Sequence, residues 1–221
     1  MPVSASRSIG DLDLHLFGEG THRRFAALRA LLAWQWSTPG APLVFMGTEL
    51  ASWQEWNDAA DLPWHLLEHP PHRGVREVLI RLNRLHHDFS SLWRRDDDPA
   101  GFQWLAADDR EHSIYAFLRW GEHGASVVAC IGNFTPVPWA GYRVGLPWTG
   151  TWRVVLDTDS PEFWGSGHRS SRGAAGDIDE GKPITATVGE AWQQQPASAV
   201  LDIGPMSMVW LTANRPASAD G

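Results

Sequence analysis

The sequence predicts an α+β composite fold, in which a helix-strand-helix unit is followed by an all-β sandwich. Up to residue 98, apolar residues recur with the three-and-four spacing of amphipathic helices, on either side of one short, wholly apolar run. After Gly101 the pattern changes to short strand-like segments separated by Gly, Pro, Asn and Asp. This change divides the chain into residues 1–98 and residues 99–221.

The first predicted helix begins at Thr21, a suitable N-cap residue, since the sequence before it is polar and bears several glycines. Pro39 and Gly40 are predicted to end the helix, because neither continues helical backbone well. Its apolar stripe consists of Phe25, Leu28, Leu31, Leu32 and Trp36.

Residues 41–46 are predicted to form a strand that is buried on both faces. The run is wholly apolar and ends at Gly47, which is typical of parallel sheets covered by helices. The next segment, residues 48–74, has no regular period but is rich in carboxylates and tryptophans. Loops of this length are usually functional or disordered.

The second predicted helix has its apolar stripe at Val75, Val78, Leu79, Leu82 and Leu85. It is followed by a charged run at residues 94–98 and by the turn-forming residues 99–101. Such polar, turn-rich stretches mark domain boundaries, so we predict one between residues 98 and 99. A solvated loop within one domain is the alternative.

Eight strands are predicted after this boundary, and their short turns favour an antiparallel sandwich or barrel. They are residues 102–106, 113–120, 126–134, 142–146, 151–157, 183–188, 199–203 and 207–212. Residues 160–181, rich in Gly, Ser and Asp, are predicted to form a long mobile loop.

The composition excludes several classes of protein. The net charge of −8 and the scattered Lys and Arg residues argue against nucleic acid as a partner. No signal peptide or membrane span is evident, so we expect a soluble, cytoplasmic protein. The one cysteine, Cys130, lies in an apolar run and is expected to be buried and inert. The 14 tryptophans suit either core packing or the stacking of sugar rings.

The loop after the predicted buried strand carries the candidate site. Sites of (β/α)8 barrels lie at the carboxyl ends of strands, so this loop is expected to face the site. Its carboxylates would bind sugar hydroxyls and its tryptophans would stack on sugar rings, or pack the loop against the barrel. The candidate binding residues are Glu49, Trp53, Glu55, Trp56, Asn57 and Trp64.

No metal or cofactor site is predicted. None of the ten histidines falls at the spacing of a recognised ligand set. His86, His87 and Asp88 are adjacent in sequence, but the helical stripe places them at an exposed helix end, where a catalytic or metal role is improbable.

Two series of motifs follow one another along the chain. The first series is Phe25-Ala-Ala-Leu-Arg29, Pro39-Gly40, Leu43-Val-Phe-Met-Gly-Thr-Glu49, Glu55-Trp-Asn57, Leu62-Pro-Trp-His-Leu-Leu67, His72-Arg-Gly74 and Leu82-Asn-Arg-Leu85. The second series is Gly101-Phe102, Asn133-Phe-Thr-Pro-Val-Pro138, Gly141-Tyr-Arg-Val-Gly145 and Asp157-Thr-Asp159. In order and spacing the first series resembles the glycogen (1,4-α-glucan) branching enzymes of the α-amylase superfamily around the seventh helix, eighth strand and eighth helix of their barrel, and the second resembles their C-terminal β domain. The family usually has Gly-Gly-Glu-Phe at residues 47–50 and Leu-Asp-Trp at residues 62–64, so local substrate contacts are expected to differ.

The resemblance implies the last part of a (β/α)8 barrel followed by a β-sandwich domain, with an α-glucan and a complementary barrel fragment as partners. The family's Asp nucleophile, its Glu acid/base and a further catalytic Asp all belong to barrel strands that precede the matched motifs. No catalytic residue is therefore assigned, and the chain alone is expected to be inactive. A non-catalytic glucan-binding or barrel-assembly module is the alternative, and a debranching or trehalose-releasing relative is a third.

Overall fold

The computed structural model describes residues 9–55, 57–124, 126–168 and 183–214. It contains two long α-helices, α1 (Ile9–Ser37) and α2 (Pro70–Asp88). The predicted start of α1 at Thr21 is wrong, because helical backbone already begins at Ile9. An N-cap side chain marks a helix start only where the preceding backbone is not helical, and the residues directly before Thr21 are helical. The predicted end holds, since α1 stops two residues before Pro39.

Helix α2 confirms the second predicted helix and its apolar stripe. Val75, Val78 and Leu82 are fully buried, and Leu79 and Leu85 are nearly so. The helix begins with two prolines, which lack a backbone N–H. No helical hydrogen bond is lost, because N–H groups in the first turn of a helix have no intrahelical acceptor.

The buried strand predicted at residues 41–46 is not present in this chain. These residues form no strand of the described sheet. Leu43, Phe45 and Met46 are 77%, 59% and 54% exposed. A wholly apolar strand is buried when it belongs to a sheet that is covered on both faces, and no described strand pairs with this segment. The apolar pattern correctly indicates a surface that favours burial, but this chain does not bury it.

Eight strands follow the helices, and every predicted strand is confirmed. They are β1 (Phe102–Asp109), β2 (Ile114–Trp120), β3 (Ser126–Asn133), β4 (Trp139–Leu146), β5 (Gly150–Asp157), β6 (Pro183–Trp192), β7 (Gln195–Ile203) and β8 (Ser207–Asn214). Of the loop predicted at residues 160–181, residues 169–181 lie outside the described residues.

The strands run in the order β1-β2-β3-β8-β5-β6-β7-β4, with antiparallel pairing between the described neighbours. Strand β6 joins the two layers: residues 183–186 pair with β5, and its remaining paired residues lie against β7. The result is an antiparallel β-sandwich with a helical part, as predicted.

Two apolar clusters hold this arrangement together. One lies between the sheet layers and includes Trp152, Leu146 and Leu211. The other lies between the helices and one sheet face, where Phe25 and Leu82 belong to the same cluster as buried sheet residues. The sheet residues of this second cluster include Phe117, Val128, Cys130, Leu156, Met208 and Trp210. Burial of apolar area is the main favourable term in folding, so both clusters stabilise the chain. Cys130 is fully buried, as expected, and burial raises the pKa of its thiol.

Two buried arginines connect the helical part to the sandwich. Arg119 of β2 donates to the Ser37 carbonyl at the end of α1 at 2.6 Å and also to Asp96. Arg29 of α1 donates from Nε to the Thr158 carbonyl at 2.9 Å. Burial lowers the pKa of Arg29 to about 10, so the guanidinium stays charged at neutral pH. These bonds cross the predicted domain boundary, which remains a prediction.

Among the described helices, neither α1 nor α2 has the length and apolar run that crossing a lipid bilayer would require.

Candidate functional site

The candidate site is a groove of about 370 Å³ between α1 and the loop that follows it, called here the Trp53 groove. It is lined by Arg24, Phe25, Leu28, Phe45, Met46, Gly47, Thr48, Ala51, Ser52, Trp53 and Gln54. Apolar side chains with a few polar groups are typical of pockets that bind small molecules.

Trp53 is 56% exposed, yet its ring is held by two buried neighbours. The rings of Phe25 and His72 each approach it edge to face, both with centroids 5.4 Å away. Phe25 and His72 are each only 2% exposed and lie 4.9 Å from one another. Edge-to-face contacts fix an aromatic ring in place, so Trp53 offers a large, positioned ring at the groove.

His72 also supports the backbone beside the groove. Its Nδ1 lies 2.7 Å from the carbonyl of Leu50, which closes the 3₁₀ turn at Thr48–Leu50. Because that partner is an acceptor, Nδ1 carries the proton. Desolvation by burial lowers the pKa of His72, so the ring is neutral at neutral pH.

Glu49 stabilises its own turn. Its Oε2 accepts a hydrogen bond from the Gly47 N–H at 2.9 Å. Gly47 has φ of 89°, a left-handed conformation that glycine adopts without strain. Glu55 is exposed, and no hydrogen bond or ion pair joins it to Glu49 among the described residues.

The remaining candidates are dispersed. Asn57 is exposed, and its Oδ1 accepts from the Ala59 N–H at 3.0 Å, forming a local turn. Trp64 is 58% exposed and begins the 3₁₀ helix Trp64–Glu68. Trp56 lies outside the described residues. The structure thus brings Trp53 and the Glu49 turn to the groove, whereas the other described candidates make no ring contact or hydrogen bond with Trp53.

The model of the family described as "Alpha amylase, C-terminal all-beta domain" matches residues 104–214, about half of the chain. The chain belongs to that family. The match begins inside β1 and ends with β8, so the α-amylase C-terminal domain corresponds to the eight-stranded sandwich. The Trp53 groove lies before the matched residues.

The similarity of this chain to curated relatives also includes its helical part. It is 42% identical to a 1,4-alpha-glucan branching enzyme of Thermobifida fusca, over 86% of this chain and 24% of that enzyme. It is 47% identical to one of Pseudomonas fluorescens, over 66% of this chain and 20% of that enzyme. The chain therefore spans about a quarter or less of these enzymes. The recognised resemblance to branching enzymes is confirmed.

A solved structure supports the fold alone. The protein Ttha1563 of Thermus thermophilus superimposes with a TM-score of 0.55 at 17% identity, over 87% of this chain and 31% of that one. This agreement includes most of the chain, and it is consistent with an α-amylase-type sandwich that carries additional helices.

Sequence reasoning misses the two residues that hold Trp53. It assigns Phe25 to a helix stripe and a motif, and His72 to a motif, but neither to the site. A helical signal for His72 exists, because it precedes Val75 by three residues and Leu79 by seven, which places all three on one face of α2. A histidine on that face is buried and therefore needs a hydrogen-bond partner.

Metal binding has no support within the described ranges, where no three His, Cys, Asp or Glu side chains form a cluster that could hold an ion. His87 and Asp88 are 2.9 Å apart, but both side chains are largely exposed at the end of α2.

Proposed function

We propose that this chain is the C-terminal region of a glycogen branching enzyme, and that the surface around Trp53 faces the α-glucan. Such enzymes transfer α-1,4-glucan chains to a 6-hydroxyl and make α-1,6 branches. The observation that carries the proposal is the Trp53 ring, which is more than half exposed while two buried rings fix its position. Flat ring faces of this kind suit the apolar faces of sugars. A cytoplasmic location is part of this proposal, because it follows from the proposed role in glycogen synthesis.

The exposed residues 41–46 support a second part of the proposal, a complementary barrel fragment as partner. Leu43, Phe45 and Met46 form an apolar surface that water does not favour. The curated relatives contain more than three times as much chain outside the matched stretch as within it. Strands from that additional chain would pair with residues 41–46, and elements that cover the faces of the resulting sheet would bury their side chains.

The chain alone is proposed to be inactive. Retaining glycoside chemistry uses two carboxyl groups about 5 Å apart, one ionised and one protonated. Inactivity is supported by the environment of the loop carboxylates: Glu49 is engaged with the Gly47 N–H of its own turn, and Glu55 lies exposed to water, not in the apolar surroundings that keep a general acid protonated.

The test is to incubate amylose with the purified chain, alone and after co-expression with the part of the Thermobifida fusca branching enzyme that lies outside the matched stretch. A fall in iodine absorbance with the pair, and none with either part alone, is the expected result. Branch formation by this chain alone would contradict the inactivity. A pair that copurifies and stays inactive would contradict the assignment to branching enzyme.

The alternative is a non-catalytic glucan-binding or barrel-assembly module. It is favoured by the exposure of both Trp53 and Trp64, which present sugar-sized surfaces without a described carboxylate pair between them. Electrophoresis through a gel that contains glycogen separates the two functions. Retarded migration, together with no branching by the co-expressed pair, would favour the module.

A further inference from the structure

A series of ring contacts connects the sandwich to the Trp53 groove. It begins at Trp164, which directly follows the 3₁₀ turn Pro161–Phe163 between β5 and β6. The Trp164 ring meets Phe25 of α1 edge to face, with centroids 5.7 Å apart. Phe25 in turn meets Trp53 at 5.4 Å and His72 at 4.9 Å, again edge to face. A side chain of the sandwich therefore reaches the exposed ring of the groove through one intermediate ring.

The backbone of Trp164 has an unfavourable conformation. Its φ of 60° and ψ of 34° lie in the left-handed region. There the Cβ atom crowds the backbone, and for a bulky side chain such a conformation is a genuine outlier. Strained residues persist where the surrounding structure fixes them, and they cluster at functional sites. Because glycine adopts this conformation without strain, the indole ring is what a tryptophan adds to the turn.

Hydrogen bonds hold this strained turn on both sides. The Trp164 N–H donates to the Pro161 carbonyl at 3.0 Å. On the other side Asp159, which is only 2% exposed, accepts three hydrogen bonds. Its donors are the Ser166 N–H at 2.8 Å, the Ser166 hydroxyl at 2.6 Å and the His168 N–H at 3.2 Å. Hydrogen bonds to a carboxylate are among the stronger ones in proteins, so the turn keeps Trp164 in one place.

The Trp164 ring is enclosed between the turn and both helices. Its side chain belongs to the same buried cluster as Phe25. On the α1 side the ring lies 4.8 Å from the ring of His22. On the α2 side a Cβ added at Gly74 would lie 3.1 Å from the Trp164 Cβ. Packing this close leaves Phe25 little freedom to change its rotamer, so the position of Trp164 determines that of Phe25.

We propose that Trp164 is a positioning residue for the Trp53 ring. It fixes Phe25 from the sandwich side, and Phe25 together with His72 fixes Trp53 in the orientation that faces the ligand. An α-glucan as that ligand rests on the proposed function, whereas the positioning does not. A ring that is already held in place loses less side-chain freedom on binding. Removal of the Trp164 ring should therefore weaken binding, although Trp164 itself does not line the groove.

Core packing without any effect on the groove is the alternative role for Trp164. In that case its loss would lower stability and leave Trp53 where it is in the folded protein. Trp152 provides the comparison, because it is also buried in the sandwich but stacks on Trp148, with centroids 5.6 Å apart. The orientation of the Trp53 ring, measured in folded variants, separates the two roles.

Fluorine NMR of the full chain labelled with fluorotryptophan measures that orientation. Trp53→Phe identifies the Trp53 signal, since the signal disappears in this variant. Trp164→Gly removes the ring and relieves the backbone strain, and it is expected to shift and broaden the Trp53 signal. Trp164→Phe, which keeps a ring beside Phe25, should bring the signal back towards its original position. Trp152→Phe is the matched control and should leave the Trp53 signal unchanged.

An unchanged Trp53 signal in folded Trp164→Gly overturns the proposal, whatever the ligand. Circular dichroism checks folding. If Trp164→Gly is unfolded, Trp164→Leu takes its place, because it keeps an apolar side chain but no ring.

Titration with maltoheptaose, followed through the Trp53 signal, connects the position of the ring to binding. The Kd is expected to rise about threefold in Trp164→Gly and to recover in Trp164→Phe. Equal Kd values for Trp164→Gly and the unchanged chain would overturn the positioning role and leave the groove assignment intact. If the Trp53 signal of the unchanged chain does not respond to maltoheptaose, the groove assignment is wrong, and the effect of Trp164→Gly on the free Trp53 signal still decides the positioning.

Discussion

The interior of the sandwich buries its large apolar side chains, whereas the segment from residue 41 to residue 69 buries Leu50 and Leu66 but leaves several others exposed. In the sandwich, Trp152 is fully buried between the two layers, and its Nε1 donates to the Trp148 carbonyl. In the segment, Leu43, Trp53 and Trp64 are each more than half exposed. Both regions carry large apolar side chains, so hydrophobicity alone does not decide burial; the presence of neighbouring elements does.

The difference indicates which apolar surfaces are covered by other described residues of this chain. The sandwich pairs its strands along their length and fills the space between its layers. In the segment, the Trp53 ring contacts Phe25 and His72 on one side and is exposed on the other. The first region is therefore expected to respond to substitutions through stability, and the second through binding.

The largest expected effect is the loss of a core tryptophan. Trp152→Ala should lower the free energy of unfolding by about 3–5 kcal/mol, because it leaves a cavity between the sheet layers. Trp64→Ala, at a ring that is 58% exposed, should leave that free energy nearly unchanged. Urea denaturation followed by circular dichroism measures both. Equal losses would remove the distinction between the two regions.

A second effect concerns the packing of α2 on the turn after β5. A Cβ added at Gly74 would lie 2.2 Å from the Phe163 carbonyl oxygen, a backbone atom. Gly74→Ala should therefore destabilise the chain by about 1–3 kcal/mol. Gly20→Ala is the matched control, since Gly20 is helical, exposed and has open space around it. That change should stabilise α1 by about 0.5–1 kcal/mol. A stable Gly74→Ala variant would show that α2 is free to move away from the sandwich.

The same contrast explains what the sequence can predict. The strands of the sandwich are predictable because their partners belong to the same chain and their turns carry clear signals, as at Gly150 with φ of 113°. Residues 41–46 have an equally clear apolar pattern, but burial requires strands that the described chain does not contain. The apolar pattern indicates that a segment favours burial, and only the tertiary structure shows whether other elements bury it.

The candidate site is predictable only in part, for a related reason. The exposed rings of Trp53 and Trp64 stand out in a loop that has no period, so composition finds them. His72 and Phe25 act through contacts between α1, α2 and the loop, although they are far apart in sequence. Local pattern carries no information about such pairs. The sequence assigns Glu49 to substrate, yet its carboxylate caps its own turn, a contact that depends on the left-handed backbone at Gly47.

A smaller effect should appear with pH, through His72 below the groove. Burial lowers its folded pKa below the ordinary 6.5, against the opposing hydrogen bond to Leu50. Its contribution to stability is therefore complete above pH 6.5 and is lost as the pH falls from there to the folded pKa. Thermal unfolding from about pH 7.5 down to about pH 5 should show this slope, and His72→Gln should reduce it. His22 and His86 shift in the same direction, so some slope should remain.

The smallest effect on the isolated chain is expected at Leu43, which is 77% exposed. Leu43→Lys should change the free energy of unfolding by less than about 0.5 kcal/mol, because the side chain is already in water. In the co-expressed pair, however, the same lysine would be buried without a partner, and a buried unpaired charge is strongly unfavourable. Copurification with the barrel partner should therefore be lost, whereas Val200→Lys, at an exposed sandwich position of 55%, should leave it intact. If Leu43→Lys destabilises the chain alone, residues 41–46 are already covered in solution, and the contrast between the two regions fails.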